Sequence, residues 1–362
     1  TTALLQQVPK AYKTQINDIL LTALTLVLSK WTKSKSVLFN LEGHGREDIL
    51  EGVDISRTIG WFTTMFPVVV NVENAELNNL GNTIKSVKEQ LREIPNKGIG
   101  YGILRYLSED ENIQQQITKT PKAEISFNYL GQFTQTLNTS SLLSSAEESS
   151  GKDQSLKGQR SSLLDINAII TNEQLEISFT YSTNIHEQTT IEKLAREFVS
   201  NLQQIINHCL VPENVGYTPS DFPLIKLNQQ ELNLVLGKVN LENIEDIYPL
   251  SPMQSGMLFE SLYAPEGGVY FEQTTFTLNG ELNVTAFTKA WQKLVNHHQI
   301  FRTAFVWESL SEPVQIVHRN VSVNVEIQDW RNLSTTEQQT QIEQFLQAER
   351  KQSFQLDKTP LM

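Results

Sequence analysis

Four ionisable side chains fall within six residues at positions 42 to 47, in the sequence EGHGRE. They are Glu42, His44, Arg46 and Glu47. A carboxylate can act as a general base or acid once its surroundings move its pKa toward the working pH, and glycines let backbone and substrate approach closely. Arg46 could orient Glu42 through a bidentate contact, or pair with Glu47 in a structural bridge. The spacing alone leaves two interpretations open: a charged surface turn, or one wall of a reaction site.

Three other segments combine glycines with aromatic or amide side chains. In RTIGWFTTMFPV, Trp61 and Phe62 could line an apolar pocket or simply pack in the core. In FNYLGQF, Asn128 and Tyr129 could donate hydrogen bonds to a developing enolate oxygen, or Tyr129 could cap the strand. PNKGIGYG, at 95–102, contains neither G-x-x-x-x-G-K-[ST] nor G-x-G-x-x-G, so we do not predict nucleotide binding.

The histidine pair and the single cysteine are interpreted as structural. His297 and His298 end a predicted helix, where histidine interacts favourably with the helix dipole, and no other Cys/His set has metal-ligand spacing. We therefore expect no metal. Cys209 lies on the apolar face of a predicted helix, which predicts a buried thiol. One cysteine allows no internal disulfide, and we expect a cytoplasmic protein.

Composition limits the class of protein and its partners. A length of 362 residues suggests about two domains. The net charge of −12, without a dense Lys/Arg cluster, argues against nucleic acid or an anionic membrane as the main partner. No run approaches the ~20 apolar residues of a membrane span.

Apolar periodicity predicts a mixed α/β unit that ends near residue 211. Its predicted helices cover 14–31, 77–93 and 191–206. Its predicted strands cover 36–42, 65–72 and 123–131, the last closed by Gly131, followed by a hairpin on both sides of the sequence TNE. The serine-rich segment 137–162 predicts a mobile loop.

A second unit is predicted from residue 244. Its helices are expected around 283–296 and 335–351, and its strands in YFEQTTFTLNG (270–280), FRTAFVWE (301–308) and PVQIVH (313–318). The predicted domains are therefore 1–211, a linker over 212–243, and 244–362. We expect the linker to be ordered, to contain a helix over 228–237 and to pack on the first unit through Tyr217, Phe222 and Leu224. Both ends look cut, which predicts a piece of a longer chain.

The order of the four glycine-marked segments is more specific than any one of them. EGHGRE, RTIGWFTTMFPV, PNKGIGYG and FNYLGQF, with NDILLTAL before them, together resemble the C-terminal lobe of the epimerization domain of nonribosomal peptide synthetases, over about 10–211. From about 244 the chain resembles the start of a condensation domain. YPLSPMQSGMLF looks like its first motif, in the subtype that accepts a D-configured donor. HHQIFRTAF looks like its second, departing at His297 and Gln299.

The resemblance implies an α/β fold like that of chloramphenicol acetyltransferase, with lobes built on a mixed sheet with flanking helices. It implies that Glu42 faces the catalytic histidine of an H-H-x-x-x-D-G motif across the Cα of a carrier-bound aminoacyl or peptidyl thioester. That motif does not occur in this sequence, and His44 is not that histidine. Arg46, Asn128 and Tyr129 match motif positions linked to activity.

The resemblance also implies partners and one further structural residue. The substrate would be carried on the phosphopantetheine of peptidyl carrier protein domains, loaded by an adenylation domain, with no cofactor bound directly. Arg302 would be structural and pair with the Asp of the H-H-x-x-x-D-G motif. A non-catalytic scaffold that docks carrier proteins is the alternative. A free-standing acyltransferase would need H-H-x-x-x-D-G. We expect the isolated chain to be inactive.

Overall fold

The structure is a computed structural model that describes residues 1–49, 51–73, 77–133, 148, 151, 155, 158–264, 270–351 and 354–362. The chain forms two compact units, Thr1–Tyr217 and Thr218–Met362. Most of the predicted serine-rich loop 137–162 lies outside the described residues. Within the described ranges, no helix is long and apolar enough to cross a membrane.

The described part of the first unit contains the helices and strands that the periodicity predicts, together with four short α-helices that it does not. The elements are α1 (Thr2–Gln6), α2 (Val8–Tyr12), α3 (Ile16–Thr32), β1 (Ser36–Gly43), β2 (Thr64–Asn71), α4 (Leu80–Arg92), α5 (Ile99–Tyr106), α6 (Glu111–Lys119), β3 (Ile125–Gln132), β4 (Leu164–Thr171), β5 (Gln174–Tyr181) and α7 (Gln188–Cys209). Helices α1, α2, α5 and α6 are the four outside the prediction. Cys209 is buried, as predicted, and burial raises the pKa of its thiol to about 11.

The five strands form one mixed sheet in the order β2-β1-β3-β4-β5. β1 is antiparallel to β2 but parallel to β3, β3 is parallel to β4, and β4 is antiparallel to β5. Alternate residues of a strand point to opposite faces, and in β1 Val37, Phe39 and Leu41 enter the core that includes residues of α3, α4 and α7. The alternate residues Asn40 and Glu42 therefore lie on the other face, which we call the polar face.

Local backbone geometry explains two details of the sheet. Asn172 and Glu173 join β4 to β5 with φ of 48° and 61°, the left-handed pair that a two-residue hairpin turn requires, so the predicted hairpin is confirmed. Gly131, with φ of 96°, does not close β3 as predicted. The register of β3 against β4 shifts between Tyr129 and Gln132, and Gly131 lies within this bulge.

The second unit contains a smaller, three-stranded antiparallel sheet in the order β6-β8-β7. Its elements are α8 (Gln229–Leu236), β6 (Ile244–Pro249), α9 (Pro252–Tyr263), α10 (Val284–His297), β7 (Thr303–Val306), β8 (Val314–His318) and α11 (Thr335–Lys351). The strand predicted over 270–280 is wrong. Gln273 bonds instead to α11, through the Leu346 carbonyl at 3.4 Å and Arg350 Nε at 2.8 Å. A favourable pattern does not form a strand without a neighbouring strand to pair with.

Most of the segment predicted to be a linker packs with the second unit. The Ser311 backbone N–H donates to Glu231 in α8 at 2.8 Å, and Lys238 pairs with Glu308 at 3.1 Å. From Thr218 onward this segment belongs to the second compact unit, and its packing on the first unit stays a prediction. The helix predicted within it is confirmed as α8.

Arg302 is the buried centre of the second unit's polar contacts. Its Nε donates to the Val295 carbonyl at 3.1 Å, and its Nη1 bonds Glu245 Oε2 at 2.5 Å and the His318 carbonyl. Arg302 and Gln299 hold the pKa of the Glu245 carboxyl below its usual value. In this chain Glu245 is the carboxylate that Arg302 pairs with, and the contacts agree with a structural role.

Candidate active site

Glu42 lies at the end of β1, on the polar face of the sheet, and its side chain is half-buried. Leu41 pairs with Phe127 across the parallel β1–β3 ladder, so the next position on each strand brings Glu42 beside Asn128. The Asn128 amide donates a hydrogen bond to the Glu42 carboxylate. The sheet therefore brings together two of the predicted site residues that are far apart in the sequence.

Two opposing effects set the proton affinity of Glu42. Burial removes water from the carboxylate and raises its pKa, whereas the hydrogen bond from Asn128 favours the charged form and lowers the pKa. Burial is the larger effect, so the pKa of Glu42 lies above its usual value. Among the described residues no cation pairs with Glu42. A half-buried carboxyl of raised pKa, with one amide to orient it, is suited to accept a proton and to return it.

Arg46 does not take either of the two roles considered from the sequence. Its guanidinium donates to the carbonyls of Ile55 at 2.6 Å and Gly60 at 3.3 Å, and lies 4.3 Å from the centre of the Phe62 ring. Within the described part of the chain it neither clamps Glu42 nor pairs with Glu47. A planar guanidinium suits this combination of carbonyl and ring contacts, and Arg46 thereby ties together the loop that joins β1 to β2.

Glu47 has partners of its own. Its carboxylate lies 3.3 Å from His44 Nε2 and 2.7 Å from Lys97 Nζ. Of the four ionisable residues of EGHGRE, Glu42 therefore lies on the polar face of the sheet. The other three, His44, Arg46 and Glu47, make contacts that stabilise the loop. Because three of the four residues have structural partners, the spacing of EGHGRE alone does not distinguish a charged surface turn from the wall of a reaction site.

Glycine is required where this loop passes closest to itself. Gly45 has φ of 66°, and a Cβ at this position would lie 1.6 Å from the Phe62 carbonyl oxygen. Only glycine combines that backbone conformation with so close an approach. The neighbouring Trp61 is 91% exposed, so it is not a core residue.

Asn128 and Tyr129 are separated by the pleat of β3, because successive strand residues point to opposite faces. Asn128 faces Glu42. Tyr129 packs against the core, and its hydroxyl accepts a hydrogen bond from the Gln132 side chain. Burial raises the pKa of Tyr129. The two side chains therefore leave β3 on opposite faces, and donation to an enolate oxygen stays a prediction.

The polar face carries two rows of side chains, most of which lie outside the sequence motifs. Strand register defines the Glu42 row as Glu42, Asn128, Asn167 and Ser178, and the Asp165 row as Asn40, Ser126, Asp165 and Thr180. The signal in the sequence is the alternation within LDINAII, where the polar residues Asp165 and Asn167 separate buried apolar ones. Alternation identifies the face, but it does not identify the neighbouring strands.

Comparison with known proteins places the chain in a family. The model of the condensation domain family matches residues 1–224 and 244–362. One of the linear gramicidin synthase proteins of Brevibacillus parabrevis is 48% identical over 362 residues, which are the whole of this chain and 5% of that protein. Gramicidin S synthase 1 of Brevibacillus brevis is 42% identical over 240 residues, covering 64% of this chain and 22% of that protein. The chain thus spans a small part of these relatives.

A solved structure matches as well. The epimerization domain from the third module of tyrocidine synthetase B, TycB3(E), is 44% identical, with a TM-score of 0.52, over 57% of this chain and 45% of that one. The mixed sheet with flanking helices is the chloramphenicol acetyltransferase-like fold that the sequence resemblance implies. The chain belongs to the condensation domain family of nonribosomal peptide synthetases.

Proposed function

We propose that this chain spans the junction between an epimerization domain and the condensation domain that follows it in a nonribosomal peptide synthetase. Residues 1–211 would be the C-terminal lobe of the first domain, 212–243 the linker, and 244–362 the N-terminal part of the second. The observation that carries the proposal is Glu42, a half-buried carboxyl of raised pKa that Asn128 orients on the polar face of the sheet. The similarity to TycB3(E) supports it.

In the proposed reaction, the α-carbon of a carrier-bound aminoacyl or peptidyl thioester is inverted from L to D. The thioester carbonyl acidifies the α-proton. Either Glu42 or a histidine of an H-H-x-x-x-D-G motif outside this sequence removes that proton, and the other group returns one to the opposite face. Burial adapts Glu42 to this exchange because its pKa lies above that of a solvated carboxylate.

The other matched residues take supporting roles in this proposal. Asn128 holds the carboxylate in position. Arg46 holds the loop that places Phe62 and Gly45 beside the end of β1. Tyr129 anchors β3 from the core side through Gln132. We propose no direct contact of Arg46 or Tyr129 with the reacting atoms.

We propose that the second unit begins a condensation domain that forms a peptide bond from the D-configured donor. The sequence SPMQSGMLF, at the start of α9, supports that subtype. Substrates would arrive on phosphopantetheine arms of peptidyl carrier protein domains, loaded by an adenylation domain, in the cytoplasm. A scaffold that only docks carrier proteins would not need the surroundings that raise the pKa of Glu42.

The decisive measurement is α-proton exchange with solvent on a carrier-bound substrate, made with the full-length synthetase. We expect Glu42→Gln to lower exchange by ~10²–10⁴-fold, the usual contribution of a general acid–base group. Glu47→Gln is the matched control, because the Glu47 carboxylate pairs with His44 and Lys97. Equal losses in the two variants, or a harmless Glu42→Gln, would contradict the assignment.

A second measurement tests the division of the site between this chain and the H-H-x-x-x-D-G motif. We expect the isolated 362-residue chain to catalyse neither inversion nor condensation, because it contains no such motif. Exchange above the rate without protein would show that Glu42 works without the histidine.

A further inference from the structure

The turn that precedes α5 has a left-handed backbone. Its residues Asn96, Lys97 and Gly98 have φ of 46°, 51° and 80°, the longest run of positive φ in the described part of the chain. Glycine adopts this conformation readily, whereas asparagine and lysine adopt it at a cost in free energy. Such residues persist only where the surrounding structure fixes them, and they are frequent at functional sites. The contacts that fix this turn therefore indicate what it does.

Gly98 joins the turn to the strands that carry Glu42. A Cβ at Gly98 would lie 2.3 Å from an atom of the Phe66 ring, so the backbone of the turn packs directly against that ring. Phe66 belongs to β2 and pairs in register with Leu41, the residue before Glu42 on β1. The turn therefore packs on the pair of strands that positions the Glu42 carboxylate.

Lys97 joins the same turn to the loop that follows β1. Its Nζ lies 2.7 Å from Glu47 Oε2, and the Glu47 side chain is only 14% exposed. The other carboxylate oxygen of Glu47 lies 3.3 Å from His44 Nε2, and His44 Nδ1 accepts a hydrogen bond from the Arg46 backbone N–H at 3.0 Å. In a neutral imidazole, Nε2 then carries the proton that faces Glu47. The contacts thus run from Lys97 to the residues at which the chain leaves β1.

We propose that Lys97 is a positioning residue for Glu42. Its ion pair with Glu47 holds the loop after β1 against the left-handed turn, and thereby fixes the end of the strand from which the Glu42 carboxylate projects. This inference rests on the proposed epimerization function and adds a residue to that same site. Lys97 acts through Glu47 and His44, whereas Glu42 carries out the proton transfer.

The test is Lys97→Met in the full-length synthetase, because methionine has a similar length but no charge. The α-proton exchange of an aminoacyl thioester is followed, with the substrate presented in trans on a peptidyl carrier protein. A misplacement of about 1 Å can lower a rate ~10²-fold, and because the contact of Gly98 with Phe66 remains, we expect a smaller loss in kcat, about tenfold. KM should be nearly unchanged, because Lys97 positions the proton-transfer group and not the substrate.

Companion variants separate positioning from the loss of any surface charge. Lys97→Arg keeps the charge and should recover most of kcat. Glu47→Gln should lower kcat by a factor similar to that of Lys97→Met, well below the loss in Glu42→Gln. The double variant Lys97→Met/Glu47→Gln should lose no more than either single variant, because both act through one contact. Lys193→Met is the matched control: it removes an ion pair with Glu197 within α7, at 3.9 Å, and should leave kcat unchanged.

The outcomes separate this inference from the function on which it rests. Unchanged kcat in Lys97→Met, an equal loss in Lys97→Arg, or additive losses in the double variant would overturn the positioning role while leaving epimerization intact. Failure of the unsubstituted full-length enzyme to exchange the α-proton would overturn the proposed function, and this inference with it. Lys97→Met should also speed backbone deuterium uptake over 44–49 at an unchanged melting temperature. A fall in kcat that only follows a fall in melting temperature would show a general loss of stability and overturn the inference.

Discussion

The Asp165 row and the Glu42 row lie on the same face of the same sheet, two residues apart along each strand, yet they differ in their bonding. Asp165 is bonded on both carboxylate oxygens, by Ser126 and by Arg160. Glu42 has a single amide partner among the described residues, Asn128. A carboxylate whose hydrogen bonds are filled from within the fold stabilises that fold, whereas one left with free capacity is available to a substrate.

The comparison shows that residue type alone does not mark a site. Both rows contain a carboxylate, an asparagine and a hydroxyl residue, and both are partly exposed. What differs is Arg160, which closes the Asp165 row by reaching Asp165 and the Thr180 carbonyl. We therefore expect substitutions in the Glu42 row to change activity and substitutions in the Asp165 row to change stability.

After Glu42→Gln itself, the largest effect that sharpens this comparison is expected at Gly45, which lies in the loop beside the end of the Glu42 row. Gly45→Ala would place a methyl group 1.6 Å from the Phe62 carbonyl oxygen, so the loop beside Glu42 must move. A misplacement of about 1 Å can lower a rate ~10²-fold, and we expect a loss of that order in α-proton exchange by the full-length enzyme.

Gly52→Ala is the matched control for that variant. Gly52 also has a positive φ, of 77°, but a Cβ there meets nothing within 4 Å. Gly52→Ala should therefore cost only the backbone strain of an alanine at positive φ, about 1 kcal/mol. We expect a small drop in melting temperature and a near-normal rate of α-proton exchange. Similar rates for the two variants would show that the close approach at Gly45 does not position the site.

These elements also show how far the sequence predicts the structure. The alternation of Val37, Phe39 and Leu41 predicts β1 and places Glu42 on its polar face, because side-chain periodicity is a local property. The contact between Glu42 and Asn128 depends on the pairing of strands far apart in sequence. Local patterns do not determine that pairing; only the order of the four motifs points to it, by resemblance.

The errors have the same physical origin. The segment 270–280 has a strand pattern, but strand formation requires a neighbour, and its Gln273 bonds to α11 instead. Arg46 is close to Glu42 and Glu47 in sequence, yet its guanidinium reaches the Ile55 carbonyl across the loop. In both cases a partner more distant along the chain decides the outcome.

A smaller effect, on stability, is expected in the Asp165 row. Asp165→Ala removes the acceptor of Ser126 and Arg160, and partners left without a hydrogen bond cost about 1–3 kcal/mol. Chemical denaturation of the full-length protein should detect the lower free energy of unfolding. The rate of substrate α-proton exchange per folded molecule should stay near normal. A large loss of exchange at unchanged stability would break the distinction between the rows.

The smallest effect concerns pH. The Asn128 hydrogen bond lowers the pKa of Glu42, in opposition to burial, so Asn128→Ala should raise that pKa further. Where Glu42 must be ionised to accept the proton, the acidic limb of the pH–rate profile should move to higher pH. Asn40→Ala is the control, because Asn40 lies two residues before Glu42 on β1 and on the same face of the sheet. This variant should leave the acidic limb of the pH–rate profile in place. If the acidic limb of the pH–rate profile does not move in Asn128→Ala, Asn128 does not control the pKa of Glu42.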